Sequence, residues 1–201
     1  YKLMGLAPYG QPIYADLIKE KLIKIALDGS FHLDMSYFNY ATGLTMTSKK
    51  FDTLFGGPPR KPESKLTQKE MNLASSIQKV LEEIIILLAR ETIKTTGEKN
   101  LCLAGGVALN CVANGTLLRK KIFDNIWIQP ASGDAGGALG SAYSVLYMFY
   151  NKKRVINKKI DKMKGSYLGP QYLKNEIKNE LDKCGAKYLS LNKNKMIDIV
   201  T

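Results

Sequence analysis

The sequence predicts an α/β fold, and three observations carry that expectation. Two short apolar runs are each followed by a glycine-rich turn and a helical stretch, and a long helix with caps at both ends precedes them. The first unit is Leu101-Cys102-Leu103-Ala104, then Gly105-Gly106, then a helix over residues 107–120. The second is Ile126-Trp127-Ile128, then a turn from Gln129 to Asp134, then a helix over residues 135–150. Strands separated by a helix of this length pair in parallel, with the helix as crossover. The long helix opens with Thr67 and Glu70 in capping-box spacing. It runs through Met71, Ala74, Ile77, Leu81, Ile84 and Leu88, and it stops at Gly97, which takes the left-handed cap. Its later turns are apolar nearly all round, which predicts burial on more than one side.

Before that helix, Ile13, Leu17, Ile18, Leu22 and Ile25 recur at helical spacing and predict an amphipathic helix over residues 11–27, ended by Asp28-Gly29-Ser30. Phe31, Leu33, Met35 and Tyr37 alternate with His32, Asp34 and Ser36, which predicts a strand over residues 31–38. His32 falls on the polar face of that strand and reads as a surface residue. Residues 39–66 lose all periodicity around Gly56-Gly57-Pro58-Pro59 and read as a long loop. After the second glycine unit, residues 151–166 are lysine-rich and read as a linker. A helix through Ile177 and Leu181, a strand over residues 187–191 and a helix from about Asn194 then suggest a further α/β domain. The expected division is a first domain over residues 1–151, a linker over 152–166 and a second domain beginning at 167 and cut at 201. The start at Tyr1, without methionine or a secretory leader, also reads as a cut.

Composition narrows the functional classes. The chain has 201 residues, 45% of them hydrophobic, enough for one good core. Its longest apolar run, from Ile84 to Ala89, is far short of the roughly 20 residues that span a bilayer, so no membrane segment is expected. Cys102, Cys111 and Cys184 are odd in number and form no CxxC pair, which argues against a disulfide framework or a cysteine zinc site and fits a reducing, cytoplasmic setting. With a single histidine, a metal site built from this chain alone would have to rely on carboxylates. The net charge of +12 is uneven: residues 1–151 carry 17 basic and 13 acidic side chains, residues 152–201 carry 13 and 5. The excess is scattered lysine without interleaved aromatics, the pattern of a solvated surface more than of a nucleic-acid patch.

The chemistry-bearing residues lie at the two glycine turns. In Gly105-Gly106-Val107-Ala108-Leu109-Asn110, two glycines allow close backbone approach, and a helix start favours an anion or the polar edge of a nucleotide. Asn110 offers both donor and acceptor. The segment matches neither the dinucleotide fingerprint nor the Walker A pattern, and a purely structural turn explains it as well. In Ser132-Gly133-Asp134-Ala135-Gly136-Gly137-Ala138-Leu139-Gly140, a carboxylate sits at the tip of the turn. Asp134 is either the N-cap of the following helix or a functional group. Glycine is unfavourable in a helix interior, so Gly136, Gly137 and Gly140 point to close approach by a ligand or a neighbouring backbone.

Four blocks closely resemble successive signatures of the NodU/CmcH carbamoyltransferases, in the same order and at the same spacing. They are Lys2-Leu3-Met4-Gly5-Leu6-Ala7-Pro8-Tyr9-Gly10, the segment from Leu103 to Asn110 with Asn114-Gly115, the segment from Pro130 to Gly140, and the shorter Tyr167-Leu168-Gly169-Pro170. The resemblance implies the second half of a domain of the actin, sugar kinase and Hsp70 superfamily, followed by the truncated start of a YrdC-type domain. In such enzymes the YrdC-type domain makes carbamoyladenylate from carbamoyl phosphate and ATP, with magnesium expected beside the ATP. The actin-like domain moves the carbamoyl group to a hydroxyl of a small-molecule acceptor. Iron(II) there is held by two histidines of an HxxxH segment and by the aspartate of the second block, which is Asp134 in this sequence. The implied nucleotide contacts are Gly105, Gly106, Asn110 and Gly136, with Lys2 as a candidate for ribose or phosphate. No HxxxH segment occurs in this chain, so the resemblance implies an incomplete metal site and no activity for this stretch alone. Two other readings stay open: a relative of the tRNA threonylcarbamoyl-transfer proteins, which the basic tail allows, and a non-catalytic actin-like nucleotide-binding piece.

Overall fold

The computed structural model describes residues 2–156 and 163–200. The chain divides into two compact units, Tyr1–Lys153 and Arg154–Thr201. The first unit opens with a short helix, α1 (Lys2–Leu6), that runs into a 3-10 turn at Ala7–Tyr9. Helix α2 (Ala15–Lys21) leads directly into strand β1 (Ile23–Ile25), which pairs antiparallel with β2 (Phe31–Leu33) in the register Ile23 to Leu33 and Ile25 to Phe31. The helix expected over 11–27 is therefore less than half that length. Ile23 and Ile25 satisfy strand alternation as well as helical spacing, and hydrogen bonding to β2 decides between them.

The strand expected over 31–38 is also cut short. The Asp34 carboxylate accepts a hydrogen bond from Ser36 N at 2.9 Å and starts a 3-10 turn at Met35–Tyr37, so the side chain competes with the ladder and wins. Within the expected loop over 39–66, residues Lys49–Leu54 form helix α3. What the loop reading missed was an apolar purpose: Phe51 and Leu54 pack against a core of Ile18, Leu22, Ile23, Tyr37, Phe55 and Val80.

Helix α4 (Gln68–Thr96) has the predicted ends. Thr67 N donates to Glu70 Oε2 at 2.8 Å in a complete capping box, and Gly97 closes the helix at φ 69°. Hydrogen bonds from the Thr67 hydroxyl, and then from its backbone N–H, hold the Glu70 carboxyl below its ordinary range. This helix serves two cores. Val80 and Ile84 face the first, and Ala89 joins Leu117 and Phe123 in a second, flanked by Leu101, Leu103 and Ile126.

The second core lies beneath the parallel pair. Strand β3 (Asn100–Leu103) pairs with β4 (Asn125–Ile128), Leu101 beside Ile126 and Leu103 beside Ile128, as the crossover pattern predicts. Between them the helix expected over 107–120 is broken in two. A 3-10 turn at Gly106–Leu109 precedes α5 (Cys111–Arg119), and Asn110 sits at the joint as the α5 N-cap. After β4, α6 (Gly136–Ser144) passes into a π-helical turn at Val145–Phe149, where a single helix over 135–150 was expected. Neither segment buries a residue.

The second unit contains a 3-10 turn at Lys164–Ser166, helix α7 (Lys174–Lys183) and helix α8 (Lys193–Val200). The strand expected over 187–191 is absent, and no strand occurs among the described residues of this unit. An extended segment needs a partner for its backbone groups, and none is present here. Of the expected linker over 152–166, residues 157–162 lie outside the described residues.

Candidate functional site

The two glycine turns leave the carboxyl ends of adjacent parallel strands, so the topology alone brings them together. Gly105 N donates to Ser132 O at 2.8 Å, tying one turn to the other. A Cβ placed on Gly133 would lie 4.0 Å from Gly106 Cα, which measures how closely the backbones pass. Gly105 itself has φ 98°, a conformation that side chains with a Cβ rarely adopt. Beside the first turn is a cleft of about 450 Å³, lined by Leu3, Ile77, Gln78, Gly106, Val107 and Asn110 among others. Its wall is mostly apolar, with the Gly106 backbone and two side-chain amides as its polar features.

Asn110 does more than the sequence suggested. Its Oδ1 accepts from Ala113 N at 3.0 Å, capping α5, and also from Gln78 Nε2 at 3.3 Å. Its Nδ2 donates to Gln78 Oε1 at 2.8 Å. Gln78 is buried on α4, and its Nε2 also donates to Glu82 Oε1 at 2.9 Å. Thr116 Oγ1 donates to the other Glu82 oxygen at 2.9 Å, and Arg119 donates to Thr116 at 3.0 Å. A continuous polar chain thus runs from α5 through α4 to the first glycine turn. Sequence reasoning missed Gln78. The available signal was a polar residue in an apolar helical stripe, between Ala74 and Leu81.

The second turn is built differently. Asp134 is exposed, and its carboxylate makes no hydrogen bond or ion pair among the described residues. The reading of Asp134 as a helix cap does not hold: α6 begins without a side-chain cap, and Asp134 contributes only its carbonyl, which accepts from Gly137 N at 3.0 Å. Gly136 lies against the main chain of its own turn, where a Cβ would collide with the Ala131 carbonyl oxygen. That contact gives Gly136 a structural reason to be glycine. Ser132 is buried, and its hydroxyl finds no hydrogen-bond partner among the described residues.

Of the sequence-predicted site residues, Gly105, Gly106 and Asn110 share one turn, with Gly106 and Asn110 in the cleft wall, and Asp134 and Gly136 occupy the adjoining turn. Lys2 is exposed on α1, next to Leu3 of the cleft wall but not itself part of that wall. Among the described residues, no three His, Cys, Asp or Glu side chains gather to hold a metal ion. No helix among them is long and apolar enough to cross a membrane.

Comparison with known proteins places the sequence in a family. Residues 1–143 match the family model for the carbamoyltransferase N-terminus, which takes in both glycine turns. An uncharacterized protein of Synechocystis, sll1178, is 59% identical over 181 residues, 90% of this chain and 29% of the relative. Nodulation protein NolNO of Sinorhizobium fredii is 39% identical over 142 residues, 71% of this chain and 19% of the relative. Nodulation protein NolO of Bradyrhizobium diazoefficiens is 37% identical over 145 residues, 72% of this chain and 24% of the relative. The chain therefore spans less than a third of the length of these relatives. The match over residues 1–143, with both turns inside it, makes this chain a member of the carbamoyltransferase family of the NodU/NolO type.

Proposed function

We propose that the chain is part of an O-carbamoyltransferase that moves a carbamoyl group from carbamoyladenylate to a hydroxyl of a small-molecule acceptor, the adenylate lying against the two glycine turns. One observation carries the reading: the hydrogen bond from Gly105 N to Ser132 O, which joins both turns at the carboxyl ends of a parallel strand pair. Open α/β sheets collect ligands at that edge. The same edge supports assigning the first unit to an actin-like nucleotide-binding domain. Residues 167–201, on the strength of the Tyr167-Leu168-Gly169-Pro170 motif, are assigned to the start of the YrdC-type domain that forms carbamoyladenylate from ATP, with its magnesium, and carbamoyl phosphate.

In the transfer step the acceptor oxygen attacks the carbamoyl carbon and loses its proton. The anhydride C–O bond breaks, and AMP departs with the electron pair. This chain contributes position and electrostatics. Gly105 and Gly106 let the backbone approach the adenylate, the start of α5 offers amide dipoles to its phosphate, and Asn110 adds a side-chain N–H. A bound iron(II) would polarise the carbamoyl oxygen. The described residues do not make an iron site by themselves: Asp134 is a lone, exposed carboxylate. Asp134 is proposed as one ligand only.

The test is a calorimetric titration of the chain with AMP, beside Gly106→Val. A Cβ at Gly106 meets no atom, so a larger side chain there narrows the cleft that Gly106 lines. Binding by the unchanged chain and its loss in Gly106→Val, with the same circular dichroism, is the expected result. Equal binding by both would remove the nucleotide from this edge. Supplied with carbamoyl phosphate, ATP and a hydroxyl acceptor, the 201-residue chain should release no carbamoylated product detectable by mass spectrometry.

A further inference from the structure

Counting the hydrogen-bonding capacity of Asn110 leaves little of it free. Its oxygen has two lone pairs, and both are used, by Ala113 N and by Gln78 Nε2. Its amide nitrogen has two hydrogens, and one goes to Gln78 Oε1. A single N–H remains, and Asn110 lines the cleft. The partner is more fully committed. Gln78 Nε2 gives one hydrogen to Asn110 Oδ1 and one to Glu82 Oε1, and its oxygen accepts from Asn110.

The orientation of both amides follows from their fixed neighbours. A backbone N–H must meet an acceptor, so Ala113 N determines which end of Asn110 is oxygen. That choice, together with the Glu82 carboxylate, then determines which end of Gln78 is nitrogen. Gln78 is only 7% exposed, so an unmatched amide there would carry the full penalty of a buried, unpaired polar group. The reciprocal pair therefore has one low-energy arrangement, and it links α4 to the glycine turn across 32 residues of sequence.

We propose that Gln78 is a positioning residue: by pairing with Asn110 at both ends of its amide, it holds the one remaining Asn110 N–H ready for a ligand in the cleft. The inference rests on the reading of that cleft as an adenine-nucleotide site. Without Gln78, Asn110 still caps α5 through Oδ1, yet its Nδ2 is no longer anchored and its second acceptor site is empty. The amide then has to be ordered by the ligand, and affinity falls by that ordering cost.

The experiment is a double-mutant cycle on the full chain with AMP, the part shared by ATP and carbamoyladenylate, as probe. Gln78→Met keeps the length of the side chain and removes every hydrogen bond. Gln78→Glu keeps an acceptor and removes both donors. Each is combined with Asn110→Ala, and binding is measured by calorimetry with thermal melting alongside. The expected result is a roughly tenfold loss of AMP affinity for Gln78→Met when Asn110 is present, a smaller loss for Gln78→Glu, whose carboxylate still accepts from Asn110 Nδ2, and no further loss from either in the Asn110→Ala background. Equal losses in both backgrounds would mean a general structural role and overturn the proposal, as would no loss in either. Those two outcomes leave the nucleotide reading intact. Failure of the unchanged chain to bind AMP at all sinks that reading, and the proposal with it. Should Gln78→Met fail to fold, Gln78→Leu, which also removes every hydrogen bond, takes its place in the cycle and is judged by the same criteria.

Discussion

The two glycine turns carry similar sequence signals and end in different physical states. The first is stitched into the molecule: its helix α5 buries Ala113 and Leu117, and its joint residue is bonded to α4 through Gln78. The second is tied to the first by one backbone hydrogen bond, and its helix α6 buries nothing. Glycine pairs at a strand–helix junction mark where a backbone must turn or be approached. They do not say how firmly the turn is held, which depends on what the following helix can bury. In α5 an apolar stripe meets α4 and the parallel pair. In α6, Leu139 and Tyr143 stand exposed at 37% and 46%.

The contrast should be largest for core truncation. Leu117→Ala is expected to destabilise the first unit by about 3 kcal/mol, because Leu117 is 1% exposed and packs with Ala89 and Phe123. Leu139→Ala should change stability by less than about 0.5 kcal/mol. Chemical denaturation followed by circular dichroism compares them, and equal losses would break the distinction. Within the second turn, Gly136→Ala should cost about 2 kcal/mol through collision with the Ala131 carbonyl, whereas Gly137→Ala, whose Cβ meets no atom, should be neutral or slightly stabilising.

A smaller effect separates the two polar tips. Asn110→Ala removes a helix cap and strands the Gln78 amide, for a combined loss of roughly 2 kcal/mol. Asp134→Ala removes an exposed carboxylate with no protein partner among the described residues, so its effect on stability should stay within about 0.5 kcal/mol. A loss for Asp134→Ala as large as that for Asn110→Ala would show that the second turn is held in a way its geometry does not reveal.

The smallest expected effect lies at the start of α4, the helix that anchors the first turn. The Thr67 hydroxyl and backbone N–H hold the Glu70 carboxyl below its ordinary value, so folding favours the ionised form. Its stabilising contribution is complete above the unfolded glutamate pKa of about 4.3 and is lost as pH falls through the lower folded value. Thr67→Ala removes the largest cause of the shift, and the acid-induced loss of stability in that window should shrink. Acid titration of the unfolding free energy for both proteins checks the sign.

How much of this was legible before folding depends on the range of the forces involved. The ends of α4 were readable because Thr67, Glu70 and Gly97 act within one turn of themselves. The parallel pairing of β3 with β4 was readable because a strand–helix–strand order leaves few alternatives. Candidate site residues were legible as types at turns, and the meeting of the turns followed from topology. The roles were less so. Gly136 turned out to accommodate its own carbonyl neighbour, and Asn110 turned out to be the joint between a 3-10 turn and α5.

The sequence by itself determined the α/β class, the long capped helix, the order of the glycine turns and the family, since these rest on local caps, periodicity and unbroken motifs. Only the tertiary structure decided where short elements ended and which polar groups met. Ile23–Ile25 became a strand because β2 lay beside it, and residues 187–191 pair with no strand among the described residues. Gln78 acquired its bonding partner because Asn110, 32 residues away, was brought to its amide. Periodicity and caps are properties of one segment. A hydrogen bond between segments exists only once packing has brought both partners within reach, and no stretch of sequence contains that information alone.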